Sequence, residues 1–195
     1  LNKRDKQDIA IIHQKDLKVC TLSRINESKG IEVAINAVKI VNERLVSGSV
    51  RLDLYGLIQP GYEGWFKNLL DINKDFVSYK GIVDFDKTVE TLKDYFLMLL
   101  PTFYYGEGFP GNVVDAYNSG LPIVATNWLY NKDVISDGRN GILVPIKDCE
   151  ALASAIERLY NDRVLHYNMA LNCLLDAEQY HPDTVLKSLY EIIDK

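Results

Sequence analysis

Two cations and two carboxylates stand out in this chain of 195 residues, because their neighbours give each a defined setting. Arg24 and Lys29 sit in Ser23-Arg24-Ile25-Asn26-Glu27-Ser28-Lys29-Gly30, between a β-prone run and a helical pattern. A helix start offers free N–H groups and the positive end of a dipole, so two cations beside it would form a diphosphate cradle. Glu107 lies in Pro101–Gly111, which reads Pro-Thr-Phe-Tyr-Tyr-Gly-Glu-Gly-Phe-Pro-Gly, and Asp115 follows eight positions later. Three glycines let that loop approach a ligand closely. Asp115 is expected in the first turns of the following helix, a placement from which both carboxylates can face one cleft. Taken singly, each residue has a plainer reading: lone surface cations are usually solvated, and an acid at a helix start complements the dipole. Their arrangement depends on the elements around them.

Those elements alternate. A strand is expected over 18–23, ending just before Arg24. Ile31, Ala34, Ile35, Val38, Val41 and Leu45 then recur at three- and four-residue steps, marking one buried face of a helix over 29–45. Strands follow at 50–56, 76–81, 95–101, 121–126 and 141–144, with helices between them at 62–73, 86–94 and 111–119. The run Phe96-Leu97-Met98-Leu99-Leu100 is what a strand covered on both faces requires. The expected fold class is therefore α/β, a doubly wound parallel β-sheet of about six strands with helices on both faces. An all-helical C-terminal segment follows at 148–160, 162–177 and 182–194. Residues 1–17 read as a linker or lead-in helix, and 18–195 as one domain.

Composition narrows the partners. A net charge of −5 argues against a nucleic-acid or anionic-membrane footprint, which needs clustered Lys and Arg. Cys20, Cys149 and Cys173 lie far apart, suggesting neither a disulfide framework nor a zinc site, so a reducing, cytoplasmic setting is expected. No apolar run reaches the ~20 residues needed to span a bilayer.

The segment Glu107-Gly108-Phe109-Pro110-Gly111-Asn112-Val113-Val114-Asp115, continuing through Gly120-Leu121-Pro122-Ile123-Val124-Ala125-Thr126, resembles the donor-site signature of family 4 retaining glycosyltransferases. Arg24 with Lys29-Gly30 is similar to that family's phosphate loop, and Asp137-Gly138-Arg139-Asn140-Gly141 to its downstream turn. The resemblance implies the C-terminal, donor-binding lobe of a two-lobed GT-B enzyme of bacterial surface-polysaccharide synthesis. It implies that Asp115 binds the ribose diol of a UDP- or GDP-sugar and that Glu107 contacts the donor sugar. Backbone groups of Gly108, Phe109, Pro110, Gly111 and Asn112 would meet sugar hydroxyls or phosphate, and Gly81, within Tyr79–Val83, would border the base. Arg24 and Lys29 would neutralise the departing diphosphate in place of a divalent metal, so no cofactor is expected. The acceptor lobe, and a glycan or lipid-linked acceptor met at the inner face of the cytoplasmic membrane, would lie outside this chain. Asp115 departs from the family's Glu and is one methylene shorter.

Other readings compete. Gly106–Gly111 formally matches G-x-G-x-x-G, yet it follows the fourth strand rather than the first, and no acidic strand end stands about 20 residues on. Asp84-Phe85-Asp86 has the form of a metal-binding D-x-D. His13, His166 and His181 have no metal spacing. A non-catalytic nucleotide-sugar-binding module, or a lobe of a GT-B epimerase or phosphorylase, shares the expected fold.

Overall fold

The computed structural model describes residues 3–193. The first two residues of the lead-in segment, and position 194 of the last expected helix, lie outside that range. Six strands form one sheet: β1 (Asp16–Leu22), β2 (Ser49–Tyr55), β3 (Val77–Gly81), β4 (Leu97–Leu100), β5 (Ile123–Thr126) and β6 (Gly141–Val144). Their order is β3-β2-β1-β4-β5-β6 and every pairing is parallel. The α/β, doubly wound class read from the alternation is the fold observed.

The helices are α1 (Ile31–Arg44), α2 (Glu63–Asn73), α3 (Thr88–Leu92), α4 (Gly111–Asn118), α5 (Asn131–Val134), α6 (Cys149–Asn161), α7 (Arg163–Ala177) and α8 (Pro182–Ile193). Side chains alternate across β4 and divide the core in two. Leu97 and Leu99 pack with Ile35 and Val38 of α1, Phe66 of α2 and Ile156 of α6. Met98 and Leu100 pack with Leu92 of α3, Val113 and Tyr117 of α4 and Cys173 of α7. Both faces are thereby covered, as an apolar run in a parallel strand demands.

Four local departures have physical causes. β1 starts at Asp16 rather than 18, because Asp16 and Leu17 pair with Ser49 and Val50 and the Ser49 hydroxyl donates to Asp16 Oδ1 at 2.8 Å. The helix expected over 86–94 divides into a 3-10 turn at Phe85–Lys87 and α3. α5 is a single turn, too short for a periodic signal; it is pinned by buried Asn131, whose amide donates to the Thr126 carbonyl at 2.9 Å. Before β1, the lead-in segment holds a 3-10 turn at Lys6–Asp8 and no α-helix among its described residues. It packs on the body: the Arg4 N–H donates to the Asn118 carbonyl, its guanidinium to the Lys93 carbonyl at 2.8 Å, and Ile9 is buried against Ala170 and Leu174.

The order 3-2-1-4-5-6 reverses direction between β1 and β4, and ligands of doubly wound sheets sit at the carboxyl ends of the strands flanking such a reversal. The two loops singled out above leave β1 and β4. Strand order therefore brings them together.

Candidate functional site

A cleft of about 590 Å³ opens at this switch point. Its walls include Arg24 and Lys29 from the β1 loop, Glu107, Phe109 and Pro110 from the β4 loop, and Gly111 and Asn112 at the start of α4. Close backbone approach makes the junction compact. Gly30, at φ 72°, stands where a Cβ would fall 2.1 Å from the Pro101 carbonyl oxygen, so only glycine fits at the start of α1. Gly108 and Gly111 differ, since a Cβ on either would meet nothing within 4 Å. The loop there leaves open room for a ligand.

Lys29 Nζ lies 2.5 Å from Glu107 Oε2, with side chains only 12% and 16% exposed. The ammonium also sits over the Tyr104 ring, 4.8 Å from its centre. Glu107 Oε2 accepts a second bond from the Thr102 hydroxyl at 2.7 Å. Lys29 is anchored at its backbone too, where Asn26 caps the preceding 3-10 turn by accepting from the Lys29 N–H at 3.0 Å. Arg24 is exposed, and its guanidinium has no protein partner among the described residues. Pro110 occupies the cap position of α4 and supplies no side-chain cap. The first N–H groups of that helix thus border the cleft with the positive end of its dipole.

Asp115, on α4, is part-buried, and its carboxylate has no hydrogen-bonding or ionic partner among the described residues. Burial raises its pKa above the usual carboxylate range. Asp115, Gly108 and Gly81 do not line the cleft itself. Gly81 ends β3, two strands out from β1, and its carbonyl accepts from the Gly56 N–H at 2.8 Å. Asn112 lines the cleft while its side-chain amide donates to the Leu22 carbonyl at 2.8 Å, tying α4 to the end of β1. Its amide is therefore a structural tie.

Two other sequence candidates fall outside the cleft. Asp84 pairs with Lys87 at 3.1 Å on an exposed turn. The turn Asp137–Gly141 precedes β6 at the amino end of the sheet, where Asp137 Oδ1 accepts from the Leu143 N–H and buried Asn140 donates to Asp176 at 2.7 Å. It is a structural device. Sequence reasoning passed over Thr102 and Asn26. Asn three residues before a helical Lys is a capping signal, whereas nothing local marks Thr102.

Residues 16–162 match the family described as "Glycosyl transferases group 1". The chain belongs to that family. Its α/β lobe has the GT-B architecture, matching HepE of Anabaena, solved in complex with UDP, with a TM-score of 0.80 at 20% identity over 92% of this chain and 49% of that one. The C-terminal domain of LpcC, a group 1 family protein of Francisella tularensis, aligns with a TM-score of 0.72 at 19% identity, covering 90% of this chain and 97% of that domain. In sequence, the N,N'-diacetylbacillosaminyl-diphospho-undecaprenol alpha-1,3-N-acetylgalactosaminyltransferase of Campylobacter jejuni is 30% identical over 107 residues, 55% of this chain and 28% of that enzyme. This group 1 lobe spans less than half the length of the first and third of these proteins. No helix among the described residues is long and apolar enough to cross a membrane.

Proposed function

We propose that this chain is the donor-binding lobe of a family 4 retaining glycosyltransferase that takes a UDP- or GDP-sugar and serves bacterial surface-polysaccharide assembly on the cytoplasmic side of the membrane. One observation carries the reading: Lys29, Glu107, unpartnered Arg24 and the uncapped start of α4 converge on one cleft at the switch point. The cations and helix N–H groups receive the diphosphate, Asp115 accepts hydrogen bonds from the ribose diol, and Glu107 accepts them from the sugar. The solved complexes of HepE with UDP-glucose, and of the pneumococcal transferase GtfA with UDP and GlcNAc, support this ligand class.

In the reaction, the bond from the anomeric carbon to the β-phosphate oxygen breaks and its electron pair leaves with the diphosphate. An acceptor hydroxyl forms the new bond on the same face, and its proton passes to the departing phosphate. Arg24 and Lys29 stabilise the charge that develops on the leaving group, in the role a divalent cation fills elsewhere. The acceptor, a glycan or lipid-linked sugar, is held by a second lobe. The chain's own Lys29–Glu107 pair refines the assignment, because the two groups reach their ligands from a shared starting contact.

Titration calorimetry of the chain with UDP, GDP and their sugars, with and without EDTA, tests this. Binding of one nucleotide series unaffected by EDTA, with no transfer to added glycans, is expected. An obligatory requirement for Mg²⁺ or Mn²⁺ overturns the metal-free reading, and transfer by this chain alone overturns the need for a second lobe.

A further inference from the structure

Thr102, just beyond β4, has no role in the reading above, yet it is fully buried and touches Glu107. Its Oγ1 lies 2.7 Å from Glu107 Oε2 and 3.5 Å from the Ser28 carbonyl, and accepts from the Tyr104 N–H at 3.3 Å. A threonine hydroxyl has one proton to donate. The carboxylate is the nearer and the charged acceptor, and bonds to ionised acceptors are about twice as strong as neutral ones, so the proton goes to Glu107. The backbone of Thr102 is itself fixed. Its carbonyl accepts from the hydroxyl of Thr126, a fully buried residue at the end of β5, and the next N–H, of Phe103, donates to Ser28 at 2.8 Å. A run of bonds thus leads from the sheet to one oxygen of Glu107.

That oxygen also takes Lys29. The other, Oε1, has no protein partner among the described residues, and Glu107 lines the cleft. A glutamate on a glycine-flanked loop has three free torsions, and Lys29 alone could draw its carboxylate along as the ammonium moves to a phosphate. We infer that Thr102 is a positioning residue that holds Glu107 by Oε2 and keeps Oε1 available to the hydroxyls of a bound sugar. The inference rests on the reading that Glu107 meets the donor sugar. On it, Thr102 discriminates between the sugar-bearing nucleotide and the bare diphosphate without touching either.

Thr102→Val removes the hydroxyl at nearly constant volume, and Thr102→Ser keeps it. Calorimetry with UDP, GDP, UDP-glucose, UDP-N-acetylglucosamine and GDP-mannose first finds the pair that the wild type binds. For that pair, Thr102→Val is expected to lose about 10-fold on the nucleotide sugar and less than about twofold on the diphosphate, with Thr102→Ser close to wild type. Equal losses on both ligands, or none, overturn the proposal. Crystal structures of the ligand-free variants, each also carrying Lys29→Met so that the ammonium no longer holds Oε2, give a second readout, with thermal melts confirming that each is folded. The Glu107 carboxylate is expected to leave its place in Thr102→Val and keep it in Thr102→Ser. A carboxylate unmoved in Thr102→Val overturns the positioning role whatever the ligand. Failure of the wild type to bind any of the five compounds instead defeats the nucleotide-sugar reading and leaves the crystal structures to judge Thr102.

Discussion

The two ends of the sheet treat their polar side chains differently. At the amino end, Arg4 gives its guanidinium to the carbonyls of Lys93 and Asp8, and His166 holds the Phe96 carbonyl at 2.6 Å while stacking on the Phe96 ring at 4.1 Å between centres. Each of these side chains is engaged by the fold through part of its polar surface, while Arg4 Nε and His166 Nδ1 are buried without a hydrogen-bond partner among the described residues. At the carboxyl end, Arg24 and Asp115 have no partner among the described residues, and Glu107 keeps one oxygen open. Polar groups that the fold does not engage, gathered at a switch point, are what a ligand site requires. The difference predicts that substitutions at one end change stability and at the other change binding.

The largest expected effect lies at the amino end. Desolvation pushes the His166 pKa down to about 4, with nearby Arg163 contributing, while the unfolded chain keeps the ordinary value near 6.5. A group whose folded pKa is depressed contributes stability that is full above the unfolded value and is lost as pH falls through the folded one. Stability should therefore drop by about 3 kcal/mol between roughly pH 6.5 and 4, since each unit is about 1.36 kcal/mol. Thermal melts across that window should show the slope in the wild type and its flattening in His166→Phe. The same slope in both proteins would break the amino-end half of the contrast.

Next comes a matched pair of arginines. Arg24→Ala should weaken the nucleoside diphosphate by about 1.5–3 kcal/mol, roughly 10- to 150-fold, and leave the melting temperature unchanged. Arg4→Ala should do the reverse, lowering the melting temperature by a few degrees, on the order of 1–2 kcal/mol, with the affinity intact. Calorimetry and melts on both variants decide it, and the contrast fails if the two behave alike.

The smallest effect sharpens the contrast at a single residue. Burial raises the Asp115 pKa, so its charged form costs stability at neutral pH, and the cost vanishes as pH falls below the unfolded value near 3.9. Asp115→Asn should melt roughly 1–2 °C higher than the wild type at pH 7 and lose that advantage in acid. Nucleotide affinity should fall in the same variant. In the wild type it should decline with acidification from a higher pH than an ordinary carboxylate gives, and in the variant that dependence should be absent. A carboxylate that destabilises the fold while serving a ligand would place Asp115 firmly with the carboxyl end.

The alternation of elements is legible along the chain, since the spacing of Ile31, Ala34, Ile35 and Val38 and the unbroken run from Phe96 to Leu100 are properties of consecutive residues. The two loops after β1 and β4 are legible in the same way, because glycines, charges and strand ends are all local. Tertiary structure alone decided that Lys29 and Glu107, 78 positions apart, share a contact. It also decided that Thr102 holds the same oxygen and that Asn112 ties α4 to β1. The turn Asp137–Gly141, read in line with the site motifs, proved to lie at the other end of the sheet. The physical reason is the crossover between the two halves. Strand order, rather than any local preference, sets β4 beside β1, and a hydrogen bond between loops exists only once that order has brought them within 3 Å or so.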